Sequence, residues 1–202
     1  WVLGLALLAG TLACFWPAGH FGFCLYEDPL TVSQNPMIEQ GLSWSGFLWA
    51  FKNIVTCNWQ PLTSLSHMLD CQLWALDAGK PHLVNLAIHA LNVLLLFGLL
   101  RRLTGTVWRS AFVAALFAWH PMHVESVAWI SERKDVLSAL FFLLTLLAYV
   151  KYVQTANKLQ PPTSTLQTSP KDQAPSSASA HSAIRNPQSA ISAQSAIWYC
   201  LA

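Results

Sequence analysis

The stretch Leu83-Val84-Asn85-Leu86-Ala87-Ile88-His89-Ala90-Leu91-Asn92-Val93-Leu94-Leu95-Leu96-Phe97-Gly98-Leu99-Leu100, closed by Arg101-Arg102, decides the architecture. A bilayer core about 30 Å thick needs about 20 mostly apolar helical residues, and this stretch holds no charge before its two arginines. It reads as a membrane-spanning helix. The composition agrees, because 54% of the 202 residues are hydrophobic, only 10% are charged, and the mean hydropathy is +0.40. A soluble domain carries roughly 25% charged residues, so this chain cannot cover a water-facing surface. Eleven Lys and Arg against nine Asp and Glu leave a formal charge of +2. That is too small and scattered for a nucleic-acid footprint, and a nucleic-acid partner is excluded. Cys14, Cys24, Cys57, Cys71 and Cys200 form no Cys-x-x-Cys pair, which leaves a zinc ribbon or thioredoxin-type motif unsupported.

Outward from that helix, residues 1–23 and 136–153 are apolar enough to span as well. Ser110 to Trp119 is apolar for too short a distance, about 15 Å of helix, and then meets His120-Pro121. It spans only if the helix continues, kinked, to about residue 130. Without that crossing, Arg101, Arg102 and Arg109 would lie opposite the basic tail. The segment charges alternate on this scheme. Residues 24–82 carry two lysines against five carboxylates, and 83–119 carry three arginines and no acid. Residues 120–135 are again acidic on balance, and 151–185 are basic. Lys and Arg accumulate on the cytoplasmic side of membrane proteins. The 24–82 loop and the His120–Asp135 turn therefore face outward, with eight of the nine carboxylates.

The outer loop is itself apolar. From Ser43, a good N-cap, the residues Trp44, Phe47, Leu48, Phe51 and Val55 fall on one face of a helix able to lie in the interface plane. A second helix opens at Pro61, with Leu62, Leu65, Leu69, Leu73 and Leu76 on one face, His67, Asp70 and Asp77 on the other, and Gly79 as a stop. Packing on the bundle and nothing more is the plain alternative for both. Cys57 and Cys71 lie where a disulfide is able to form, or stand as two packed thiols.

Three polar groupings are candidates for chemistry. Glu27-Asp28, directly after a membrane helix, places two carboxylates at the water interface, where mutual repulsion raises one pKa and suits a general base or a shared metal; an ordinary acidic turn before Pro29 is the alternative. His82, Asn85, His89 and Asn92 form one stripe on an apolar rod, fit either for ligand contact or for helix-to-helix hydrogen bonds. His120, His123 and Glu125 are metal ligands by type, but their spacing matches no helical His-x-x-x-His pair. Nearby, Arg133 and Lys134 suit an anionic phosphate at the bilayer surface, or simple anchoring by snorkelling.

From Thr155 to Ser195 the chain is Ser, Pro, Gln, Ala and Thr, with Ser-Ala-Ile recurring at 182, 189 and 195. This composition predicts a disordered cytoplasmic linker over 155–196, after a membrane region over 1–154 and before the start of a further membrane helix at 197–202. Both ends of the chain lie in apolar runs, so it reads as a fragment of something longer.

Several strings are specific enough to carry a resemblance. These are Tyr26-Glu-Asp-Pro-Leu-Thr-Val-Ser-Gln-Asn35, Gly41-Leu-Ser-Trp-Ser-Gly-Phe-Leu-Trp-Ala-Phe51, Asn58-Trp-Gln-Pro-Leu-Thr63, His82-Leu-Val-Asn-Leu-Ala-Ile-His-Ala90, and His120-Pro-Met-His-Val-Glu125 with Glu132-Arg-Lys-Asp135. Over residues 1–154 the chain resembles the N-terminal membrane half of bacterial tetratricopeptide-repeat proteins related to the transmembrane and tetratricopeptide repeat-containing O-mannosyltransferases. The resemblance implies an all-α, polytopic GT-C-type helix bundle in the bacterial inner membrane, with two interfacial helices in its first outer loop. It also implies a sugar donor carried on a polyprenyl phosphate.

Carried over residue by residue, the acidic pair of that family falls on Glu27-Asp28, which stands where Asp-Asp is more usual. The expected activity is inverting transfer of the sugar to a hydroxyl of an acceptor protein or glycan on the outer face. Asp28 or Glu27 takes the acceptor proton, Arg133 and Lys134 hold the donor phosphate, and Glu125, His123 and His89 play supporting polar roles. A divalent metal is compatible with this scheme. A non-catalytic anchor presenting tetratricopeptide repeats and a transporter fragment are the rival readings.

Overall fold

The computed structural model of the protein describes residues 1–159. Among them no strand is formed, and the chain is all-α. Helix α1 is Val2–Phe15 and passes into a tight turn at Trp16–His20, where Pro17 withdraws a backbone donor. The outer loop holds a π-helical turn at Pro29–Ser33, α2 at Pro36–Glu39, α3 at Trp44–Lys52 and α4 at Pro61–Trp74. Then come α5 at Gly79–Thr104, α6 at Val107–Trp119, α7 at His123–Ala128, a 3-10 turn at Ile130–Glu132, and α8 at Arg133–Leu159. Val2–His20, Gly79–Thr104 and Ile130–Ala156 are each long and apolar enough to cross a membrane. The expected linker beyond Leu159 and the apolar start at 197–202 lie outside the described residues.

The long α5 is the hub, packing against α1, α6, α7 and α8. Leu7, Val93 and Phe97 meet Ala111, Ala114 and Ala118 in one core cluster; three alanines on one face of α6 let its backbone approach closely, as small residues do between membrane helices. A second cluster joins Phe15, Leu86, Val127 and Val136. The outer loop has its own core of Val32, Ile38, Ala50, Met68, Cys71 and Ile130, the last supplied by the turn before α8.

Three boundaries differ from the sequence expectation. The crossing expected over 110–130 is two helices, α6 and α7, broken at residues 120–122, because Pro121 denies the continuing helix a donor. Gly79 opens α5 instead of closing α4: α4 ends at Ala75, whose φ is 55°, and the Gly79 N–H donates to Asp77 Oδ1 at 3.0 Å. A Cβ on Gly79 would stand 2.4 Å from the Gly19 carbonyl oxygen, so the glycine lets the chain cross there. Helix α3 ends at Lys52, which leaves Val55 in a bridge to Asn58.

The outer loop is also inside out relative to a soluble domain. On α4, Leu62 (50%), Leu69 (43%) and Leu73 (58%) are exposed, while His67 (2%) and Asp70 (4%) are buried. On α3, Trp44 and Phe47 stack with ring centroids 5.4 Å apart, Phe47 and Phe51 follow at 4.9 Å, and all three are exposed. An apolar solvent outside the protein favours this arrangement, since polar side chains then gain by turning inward.

Candidate functional site

The acidic pair divides into two different carboxylates. Asp28 is fully buried. Its Oδ2 accepts the Cys24 N–H at 2.7 Å, and its Oδ1 accepts the Ser131 N–H at 3.2 Å and the Ser131 hydroxyl at 2.6 Å. The Thr31 hydroxyl, 2.6 Å from Ser131 Oγ, extends the chain of hydrogen bonds. Asp28 thus fastens the start of the outer loop to the turn before α8, and three donors occupy its oxygens. Glu27 is only half-buried, and among the described residues its carboxylate has no hydrogen-bond or ion-pair partner.

The α5 stripe is spent on backbone carbonyls. Asn85 Nδ2 donates to Trp129 O at 3.1 Å, and Asn92 Nδ2 to Val136 O at 2.8 Å. A ring nitrogen of His82 lies 3.3 Å from Gly22 O, and one of His89 lies 3.1 Å from Ala118 O. Ala118 sits in the last turn of α6, where carbonyls lack a partner within the helix. The stripe therefore staples the ends and breaks of neighbouring elements to α5.

Arg133 and Lys134, adjacent in sequence, go opposite ways. The Arg133 side chain is fully buried, forms an ion pair with Asp70 at 2.5 Å, and donates to Asn85 Oδ1 at 2.7 Å, Ser66 Oγ at 2.9 Å and Pro81 O at 2.9 Å. With protein acceptors on Nε, Nη1 and Nη2, it does not stand free for an anion as expected; it joins α4, α5 and α8. Burial raises the Asp70 pKa above the ordinary carboxylate value, and the charge and hydrogen bond of Arg133 work against that rise. His67, one turn before Asp70, is buried with both ring nitrogens unpartnered among the described residues; burial, then the nearby Arg133 charge, hold its pKa well below the ordinary value.

Lys134 instead lines a groove of about 510 Å³ between the α3–α4 connection and the first turns of α8. Phe51, Trp59 and Phe141 give it apolar walls, and Asn58, Gln60 and Ser138 give it polar ones. The Lys134 ammonium pairs with Glu132 at 2.5 Å. Gln60 Oε1 is buried without a partner among the described residues.

A second cavity, about 220 Å³, lies beside the α6–α7 break, with His89, Asn92, His123, Ser126 and Asp135 in its wall. The rings of His89 and His123 are 5.3 Å apart, and Phe117 is 4.5 Å from His123. Ser126 donates to Asp135 at 3.0 Å. Glu125 is exposed and does not line this cavity. Among the described residues no three His, Cys, Asp or Glu side chains converge as a metal-ligand set. Cys57 is an exposed free thiol and Cys71 a buried one, so they are not paired.

Sequence reasoning missed Ser131, Ser66, Ser126 and the acceptor role of Asp70. Serine is too common to signal anything alone. Asp70 did carry a signal, as a charge on an otherwise leucine-rich helix. The Asn58–Thr63 string was noticed as a motif without its place in a groove.

No family model matches the chain, and no solved structure matches it. Among curated proteins it is similar to protein O-mannosyl-transferase TMTC2 of Homo sapiens, 32% identical over 160 residues, covering 76% of this chain and 18% of that protein. It is also similar to protein O-mannosyl-transferase TMTC1 of Homo sapiens, 34% identical over 156 residues, covering 71% and 17%. Protein O-mannosyl-transferase TMTC3 of Mus musculus is 37% identical over 147 residues, covering 69% and 16%. The chain spans less than a fifth of the length of these relatives.

Proposed function

This chain is related to the transmembrane and tetratricopeptide repeat-containing O-mannosyltransferases, and on that premise we propose that it is part of a GT-C-type glycosyltransferase of the bacterial inner membrane. It transfers a sugar from a polyprenyl-phosphate donor to a hydroxyl of an acceptor protein or glycan on the outer face. The observation that carries the assignment of roles is the split of the acidic pair. A general base needs a lone pair free to reach the acceptor proton; Glu27 keeps its carboxylate free, whereas Asp28 has both oxygens engaged inside the protein.

Glu27 removes the proton from the acceptor hydroxyl as that oxygen bonds to the sugar's anomeric carbon. The bond from that carbon to the phosphate oxygen breaks, and the electron pair leaves with the polyprenyl phosphate. The anomeric configuration inverts in this single displacement. Lys134, at the mouth of the groove, binds the phosphate, and Phe51, Trp59 and Phe141 border the prenyl chain. Asp28 positions Glu27 through Ser131 and Cys24, and Glu125 contributes at the exposed surface of α7.

Base assistance is worth about 10²- to 10⁴-fold in rate. Glu27→Gln, assayed in membranes with a polyprenyl-phosphate sugar, is expected to lose transfer by that factor with an unchanged melting temperature. Asp28→Asn is expected to lower stability by about 1–3 kcal/mol, because it disturbs buried hydrogen bonds. Transfer at the parental rate by Glu27→Gln rules out Glu27 as the base.

A further inference from the structure

The end of the bundle opposite Glu27 carries charges that the fold leaves unused. Helix α5 is 26 residues long, about 39 Å, so its last turn stands on the far side of the membrane from the outer loop. Arg101 and Arg102 lie in that turn, and Arg109 is the third residue of α6. All three are exposed, and among the described residues none has an ion-pair partner. No carboxylate stands between Asp77 and Glu125 in the sequence, so nothing local neutralises them. The turn that joins them is fixed: Gly105 takes a φ of 67°, and the Thr104 hydroxyl accepts the Thr106 N–H at 3.2 Å and lies 3.2 Å from Ser110 Oγ.

Arg101 and Arg102 have a structural reason for their place, since cations are favoured at a helix C-terminus. Arg109 has the opposite, because it stands at the positive end of α6, which repels it. Its face is also unusual. Arg109, Phe112, Val113 and Leu116 fall at i, i+3, i+4 and i+7, and all four are exposed, opposite the buried Ala111, Ala114 and Ala118. One guanidinium thus heads an apolar stripe that runs down the exposed side of α6, and Trp108 is exposed beside it.

A soluble anion would meet the arginines and leave the stripe bare. A zwitterionic lipid would cover the stripe but bring its own ammonium toward three guanidiniums. An anionic phospholipid satisfies both, because its phosphate oxygens accept from the guanidinium fork while its acyl chains lie along Phe112, Val113 and Leu116. We propose that the Arg101–Arg109 turn and this face of α6 form a binding site for an anionic phospholipid in the leaflet opposite Glu27. The site is independent of sugar transfer and of the Lys134 groove.

The test uses the full chain, delipidated in neutral detergent and equilibrated with equal amounts of dioleoylphosphatidylglycerol and dioleoylphosphatidylcholine. Native mass spectrometry reads which lipid stays bound. Phosphatidylglycerol is expected to be retained at least about tenfold over phosphatidylcholine, and the preference is expected to shrink as ammonium acetate rises, since salt screens exposed charge. An arginine near an anionic headgroup contributes about fivefold, the equivalent of about 1 kcal/mol. Arg102→Gln and Arg109→Gln are therefore each expected to weaken phosphatidylglycerol binding by about that factor, while Lys80→Gln, at the other end of α5, is expected to leave it unchanged. Glycerophosphoglycerol, the headgroup without its chains, is expected not to compete. Absence of a preference between the lipids, a preference untouched by salt, or equal losses at Arg109 and Lys80 overturns the proposal. Full competition by glycerophosphoglycerol replaces the lipid with a soluble phosphate and overturns it as well. The lipid preference, its salt dependence and the headgroup competition are all read on the parental chain, so they decide the matter even if a variant does not fold.

Discussion

The polar interior has two regions of opposite character. Beneath α4, Asp70, Arg133, Asn85 and Ser66 form a closed network in which the guanidinium has protein acceptors on Nε, Nη1 and Nη2. Beside α8, Lys134, Asp135, Asn58 and Ser138 border the open groove, and the Lys134 ammonium has a single carboxylate partner, Glu132. The two regions share a stretch of three residues, since Arg133, Lys134 and Asp135 are consecutive and the first turn of α8 points them in different directions. Residue type therefore does not separate structural from ligand-facing charge in this membrane protein. Only the count of protein partners around each group does.

The largest expected effect breaks the closed side. Removing one member of a buried ion pair costs about 3–5 kcal/mol, because the partner charge is left uncompensated. Arg133→Ala is expected to lose that much in thermal or detergent unfolding and to reduce the folded yield. The double variant Arg133→Met with Asp70→Leu is expected to recover most of the loss, since apolar replacement of a buried pair is often close to neutral. A single variant with parental stability would contradict a closed network and return Arg133 to the list of ligand-binding cations.

The same change on the open side has a smaller effect on a different quantity. Lys134→Ala is expected to alter stability by no more than about 0.5 kcal/mol, as for other surface changes, because its Glu132 partner keeps access to water. It is expected to weaken binding of polyprenyl phosphate about tenfold, measured by Trp59 quenching, in line with one hydrogen bond to a charged group. Equal stability losses at 133 and 134 would erase the distinction between the regions.

Much of this was legible in the sequence. Three of the four expected spanning segments, read from length and hydropathy, are helices long and apolar enough to cross a membrane, and the α5 stripe was legible from its helical spacing. The inward turn of His67 and Asp70 was not, because periodicity shows that α4 has two faces without showing which is inward, and only the surrounding solvent decides that. The division of Glu27 from Asp28 was equally hidden. It depends on Ser131, more than a hundred residues away in sequence, and local pattern carries no information about such a contact. Arg133 was misread for the same reason: its partners come from α4 and α5, and from sequence it looks the same as Lys134.

The smallest expected effect concerns pH, and it sharpens the closed side from within. His67 is buried beside the network, and its pKa lies well below the ordinary 6.5 in the folded state. The unfolded chain therefore binds a proton at pH values where the folded chain does not. Stability contributed by the neutral imidazole is fully present above the unfolded value and is lost as pH falls below it toward the folded pKa. One proton changes stability by at most about 1.4 kcal/mol per pH unit. Asp70 acts in the opposite sense, since its raised pKa favours the folded state at acid pH, and its window opens at the unfolded value of 3.8. Just below pH 6.5 acidification therefore destabilises the protein through His67, and Asp70 opposes this only as pH falls through its own folded pKa. His67→Leu is expected to flatten that limb by up to one proton's slope while Arg133 and Asp70 remain paired. Thermal unfolding of the two proteins from pH 5 to pH 8 reads the difference directly, and parallel curves would mean that His67 gains its proton equally in both states, which a closed, dry network does not allow.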